Sequence, residues 1–109
     1  GQGNPVCFYA KEWGTSTFPL ANIHPHHVRF MEGFEQQGGI SFLLIFFSST
    51  DQFYYLTFRE LKVFWERREN GGRKSYTQEE LNPDFYLHAR DGTFIPYLDG
   101  IQKDLNLRD

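Results

Sequence analysis

Cysteine is almost absent from this sequence. Cys7 stands alone, which excludes an internal disulfide and a thiolate metal cluster and fits a reducing compartment. Long apolar runs are missing as well: the stretch Ile40–Phe47 is eight residues, against the roughly 20 that span a bilayer. Nor do the first residues carry the basic start and apolar run of a secretion signal, so a soluble, cytoplasmic protein with no membrane partner is expected. An excess of positive charge is the third absence. Eleven Lys and Arg stand against 14 Asp and Glu, a net charge of -3, the wrong sign for a surface that grips a polyanion everywhere. Any contact with nucleic acid has to come from a local patch.

What the sequence has in abundance is rings. Twelve Phe, six Tyr and two Trp bring the aromatic fraction to 18%, so the expectation is a ring-packed core in which the Phe residues are buried, not a disordered chain. At 109 residues there is room for one domain. Residues 1–5 read as a disordered entry segment and 6–109 as that domain.

Val6, Phe8 and Ala10 alternate with Cys7, Tyr9 and Lys11, the period of a strand, so Tyr9 and Lys11 share one face. After a loop at 14–16, residues 18–20 extend toward a helix over 24–37, where Phe30, Met31 and Phe34 recur at three and four and Gly38-Gly39 ends the pattern. Ile40–Phe47 is nearly all apolar, as a central strand covered on both faces would be, and 53–56 reads as its neighbour. Thr57 and Glu60 have capping-box spacing: Thr57 caps the amide three residues on and Glu60 reaches back, opening a helix with Leu61, Phe64 and Trp65 that Gly71-Gly72 ends. A second box, Thr77 with Glu80, starts a short turn. An edge strand over 85–88 follows, and Pro96 opens a closing helix that Gly100 weakens. The sum is an α/β domain, a mixed sheet flanked by helices.

Three groups invite chemistry. His24, His26 and His27 lie within one helical turn, where imidazoles can share a transition ion; with no carboxylate or thiolate in a matching position, a polar helix start with His27 partly packed fits better, and no metal is assigned. Arg67, Arg68, Arg73 and Lys74 flank Gly71-Gly72 and form the best candidate phosphate patch, although Glu66 and Glu69 interleave with them and cations also favour a helix C-terminus. Trp13, Phe18, Tyr54, Tyr55 and Trp65 could stack on bases, but a ring-rich core accounts for most of them.

Phe-x-Ala-Lys-Glu at 8–12, Phe-Pro-Leu at 18–20, Asn-x-His-x-His at 22–26, Gly-Gly-Ile at 38–40 and Gly-Gly-Arg-Lys-Ser at 71–75 stand in the order and near-spacing of one family. The chain resembles RecU, the Holliday-junction resolvase of Gram-positive bacteria, over that family's C-terminal part. The resemblance implies a restriction-endonuclease-like PD-(D/E)xK core, a homodimer and Mg²⁺-dependent cleavage of four-way DNA junctions. It also implies a strand that supplies a metal-binding Glu and a Lys. The lysine is present as Lys11; Tyr9 stands where that Glu would be, and His27 where the following helix has a Gln. The family's earlier strand, with its Asp, and its projecting stalk have no counterpart in the few residues before Val6.

Mg²⁺ takes one or two carboxylates, and a phenol titrating near 10 is no substitute. Glu12 points to the other side of the strand from Lys11 unless a bulge slips the register. The expectation is therefore a RecU-like protein without cofactor or cleavage, Lys11 vestigial, that binds branched or duplex DNA or a recombination and repair partner. Two rivals stand beside it: a Mg²⁺-dependent resolvase completed by further sequence or another chain, and a phage-type regulator of a nucleic-acid enzyme acting by protein contact.

Overall fold

The computed structural model describes residues 4–14, 17–87 and 97–108. Strand β1 (Val6–Trp13) runs parallel to β3 (Ile40–Phe47), which pairs antiparallel with β4 (Gln52–Thr57), and β4 carries the short β6 (Tyr86–Leu87). The order is β1-β3-β4-β6, so β3 lies inside the sheet, as its apolar run requires, and seven of its eight residues are buried. Asp51, at φ 54°, turns the chain between β3 and β4. The ladder reaches back into the entry segment, where the Pro5 carbonyl accepts from the Ile40 amide at 2.9 Å; residues 1–3 lie outside the described residues.

Helix α1 (Pro25–Gln36) and α2 (Phe58–Glu69) cover the sheet face that carries Tyr9 and Lys11, while α3 (Tyr97–Leu107) lies on the other. His24 caps α1 by accepting the His26 amide at 3.0 Å, and Pro25 follows at the first position, where its missing N–H costs nothing. Both glycine pairs end their helices as expected: Gly38 and Gly71 take φ of 91° and 86°, and the next amide bonds back five residues, Gly39 to Phe34 and Gly72 to Arg67.

Four expectations need correction. Thr57 does cap the Glu60 amide at 3.1 Å, but the Glu60 carboxylate turns to the Tyr54 hydroxyl at 2.7 Å and the Asn82 amide. The segment around Phe18 does not simply extend toward a helix; it forms β2 (Thr17–Pro19), which pairs antiparallel with β5 (Ser75–Thr77). Gly100 sits inside α3 without breaking it: a Cβ there would come within 2.5 Å of the Tyr55 ring, so the glycine is what lets the helix approach β4. And the Phe residues are not all core, since Phe8 and Phe30 are 44% and 54% exposed. The start of the edge strand is also later than expected, Phe85 closing a 3-10 turn (Pro83–Phe85) before β6. His88 and Pro96 lie outside the described residues.

The β2-β5 ribbon is tied to the sheet by rings. Trp13 lies 5.3 Å from Phe18 and 5.2 Å from Tyr76, and Tyr76 stacks on Phe64 of α2 at 4.4 Å. The second capping box holds this region, the Thr77 amide donating to Glu80 at 2.9 Å.

Candidate functional site

Residue alternation along β1 sorts its side chains into two rows. Tyr9 and Lys11 are half-buried on the row facing α1, with Cys7 and Trp13; Val6, Phe8, Ala10 and Glu12 are exposed on the other. Pairing with β3 is unbroken from Val6↔Ile40 to Trp13↔Phe47, so no bulge brings Glu12 round to Lys11.

The place beside Lys11 is filled by rings. Tyr9 lies flat on His27 of α1, centroids 4.0 Å apart and planes 9° from parallel. Val28 and Met31, one and four residues on, are buried, which turns His27 toward the sheet. Burial, and secondarily Cys7, push the Tyr9 phenol above its usual range, so it stays protonated. Desolvation holds the His27 imidazole below its ordinary range, helped by the positive fields of Lys11, His24 and His26, and its buried Nδ1 has no hydrogen-bond partner. A neutral phenol, a neutral imidazole and an ammonium are a poor donor set for Mg²⁺, which asks for anionic oxygens. Among the described residues no group of three or more His, Cys, Asp or Glu is arranged to hold a metal. The residues present do not fit the family's metal.

The three histidines are brought together, though as a stack. His24 lies 4.7 Å from His26 and 5.6 Å from His27. Two of the three Nδ1 atoms are engaged: that of His24 accepts the His26 amide, and that of His26 faces the Arg29 guanidinium. Arg29 was not singled out from the sequence; its position three residues after His26 on one helix is the signal that could have found it.

The four cations near Gly71-Gly72 divide. Arg67 donates to Glu80 at 2.6 Å and to the Ser75 carbonyl at 2.8 Å, bracing β5 against α2, and the same contact holds the Glu80 carboxyl below its ordinary range. Arg68 lies over the Trp65 ring at 3.9 Å. Arg73 is 65% exposed, with Glu80 at 3.6 Å, and Lys74 is exposed. Of the proposed base-stacking rings, Trp13, Phe18, Tyr54, Tyr55 and Trp65 are all buried. The open groove between α1 and α2, about 480 Å³, is lined by Arg29, Lys62 and Arg68 against Glu32, Glu66 and Glu69, so its charges cancel.

A mixed sheet between helices, with a lysine on the inner row of its edge strand, defines an α/β domain of the restriction-endonuclease-like nuclease class. The chain belongs to the RecU family, whose model, described as Recombination protein U, matches residues 1–103. It is 44% identical over 96 residues to the Holliday junction resolvase RecU of Staphylococcus saprophyticus, covering 87% of this chain and 43% of that protein. It is also 36% identical over 104 residues to the one from Limosilactobacillus reuteri, covering 94% of this chain and 51% of the relative. For Pediococcus pentosaceus the figures are 38% over 104 residues, with 94% and 52% covered. The chain spans about half the length of the curated relatives it matches.

Proposed function

We propose that this chain is a RecU-family nuclease-fold domain that binds branched DNA and, by itself, neither holds Mg²⁺ nor cuts the strand. The observation that carries this reading is the stack of Tyr9 on His27, which occupies the position beside Lys11 where the resemblance places a metal-binding glutamate. Lys11 remains as a cation on a half-buried face, suited to a phosphate oxygen. The test is a four-way junction offered to the purified chain with Mg²⁺ or Mn²⁺. Binding without nicking is the expected result; nicking that Lys11→Ala abolishes would show a working nuclease. Sedimentation of the same samples reads the proposed homodimer, whose contact would involve the exposed Val6 and Phe8, and a monomer throughout would remove it.

Arg73, 65% exposed with Glu80 at 3.6 Å, and the exposed Lys74 are the part of the glycine-loop patch best placed to reach a phosphate backbone. Arg67 is committed to Glu80 and Ser75. Arg73→Ala with Lys74→Ala is therefore expected to weaken junction binding and to lower the slope of log affinity against log salt by about 1–2. An unchanged slope in a salt titration would take the loop out of the interface.

A further inference from the structure

We propose that the ring column Tyr9-His27-His24-His26, bordered by Lys11 and Arg29, is a binding site for one unpaired nucleotide of a DNA strand. This rests on the DNA-binding reading above and assigns it a place and a chemistry.

The column is built from two elements. Tyr9 of β1 stacks on His27 at 4.0 Å, His27 meets His24 at 5.6 Å with planes tilted by 41°, and His24 meets His26 at 4.7 Å with planes 17° apart. Burial rises along it: His24 and His26 are exposed, while His27 and Tyr9 are half-buried. A stack with one end exposed, at His26, is one that a nucleobase can extend there, and every base has a π-face to offer. A base paired within a duplex is already stacked on both sides, so the site selects an unpaired one.

Proton placement on the imidazoles points the same way. A neutral ring carries one N–H and one lone pair. The His24 Nδ1 lone pair is spent on the His26 amide, and the His26 Nδ1 lone pair on Arg29, which never gives up its charge. Both rings therefore hold their proton on Nε2. They present donors, which want acceptor oxygens, and have no free lone pair at Nδ1 for a metal. Phosphate oxygens are such acceptors, and Lys11 and Arg29 supply positive charge beside these donors. Aromatic faces, N–H donors and flanking cations in one place together describe a nucleotide.

The probe is a six-residue oligothymidylate, single-stranded and free of base pairing, with the four-way junction run in parallel. His26 is the ring to change, because His24 caps α1 and His27 packs on the sheet. Stacking one base on an aromatic ring is worth roughly a 5- to 150-fold change in affinity by alanine substitution. His26→Ala is expected to lose about that much for the oligothymidylate, and His26→Phe, which keeps the ring and drops the N–H, to recover most of it. In the wild type, the ring-proton signals of His24 and His26 are expected to shift in an NMR titration with the same probe; this readout does not depend on any variant folding. Junction binding that persists while the histidine signals stay still and His26→Ala changes nothing would overturn the ring site and leave the DNA-binding reading intact. A wild-type chain that binds no junction overturns that reading, and the ring site falls with it.

Discussion

Arg108→Ala is expected to destabilise the fold by about 3 kcal/mol, the lower end of what breaking a buried ion pair costs. The guanidinium closes a network that joins three parts of the chain. It donates to both carboxylate oxygens of Glu35 on α1, at 2.5 and 2.8 Å, and to Asp104 on α3 at 3.1 Å. Asp104 is fully buried and also accepts the Tyr55 hydroxyl of β4 at 2.6 Å, while Glu35 accepts the Ser41 amide at the start of β3. Two carboxylates share one cation here, so removing it leaves the buried Asp104 carboxylate with the Tyr55 hydroxyl as its remaining side-chain partner among the described residues. Glu35 and Arg108 keep 17% and 24% of their side-chain surface, and that residual solvent is why the lower figure applies. Urea titration is the measurement. Arg108→Lys should recover only part of the loss, because an ammonium cannot serve both Glu35 oxygens as a fork does. Lys103→Ala, which removes an exposed contact to the Asp84 carbonyl, is the control expected to stay within about 0.5 kcal/mol. A midpoint for Arg108→Ala equal to that control would mean the network adds nothing.

How much of this was readable in the sequence depends on whether an element announces itself locally. β1, α1, β3 and α2 did, because period-two alternation at 6–11, apolar spacing before Gly38, a nearly all-apolar run at 40–47 and the Thr57 cap are each written within a dozen residues. The β2-β5 ribbon did not. Its strands are three residues long and pair Thr17 with Thr77 across the domain, so nothing near either one marks it. The ion network escaped for the same reason, its members standing at 35, 41, 55, 104 and 108. Gly100 was read by propensity as a flaw in a helix, when tertiary approach to the Tyr55 ring decides it.

At the candidate site, strand periodicity placed Tyr9 and Lys11 on one row and Glu12 on the other, and the structure agrees. The cationic patch was legible only as composition. Charge counts cannot show that Arg67 is spent on Glu80 or that Arg68 rests on Trp65, since both partners are chosen by folding. Likewise, the sequence favoured a polar helix start over a metal site for the three histidines, but their ring contacts and the Nδ1 partners of His24 and His26 are set by folding.

The other large effect is expected at Phe42, where Phe42→Ala should cost about 3–5 kcal/mol. Its ring is fully buried at the middle of the sheet and lies between Phe8 of β1, at 5.1 Å, and Tyr55 of β4, at 4.0 Å. Truncation removes the ring that spans these two strands and opens a cavity beneath Phe8, which is itself 44% exposed. Tyr55 makes the effect reach further. The same ring that stacks on Phe42 carries the hydroxyl bound to Asp104 and is the surface against which Gly100 packs. A Tyr55 ring released on one side has less reason to keep its hydroxyl on Asp104. Phe42→Ala and Arg108→Ala are therefore expected to be non-additive, with a coupling of about 0.5–3 kcal/mol in a double-mutant cycle read by urea titration. Strict additivity would show that the ring stack and the ion network hold the two faces of this sheet independently, and that Tyr55 is not the link between them.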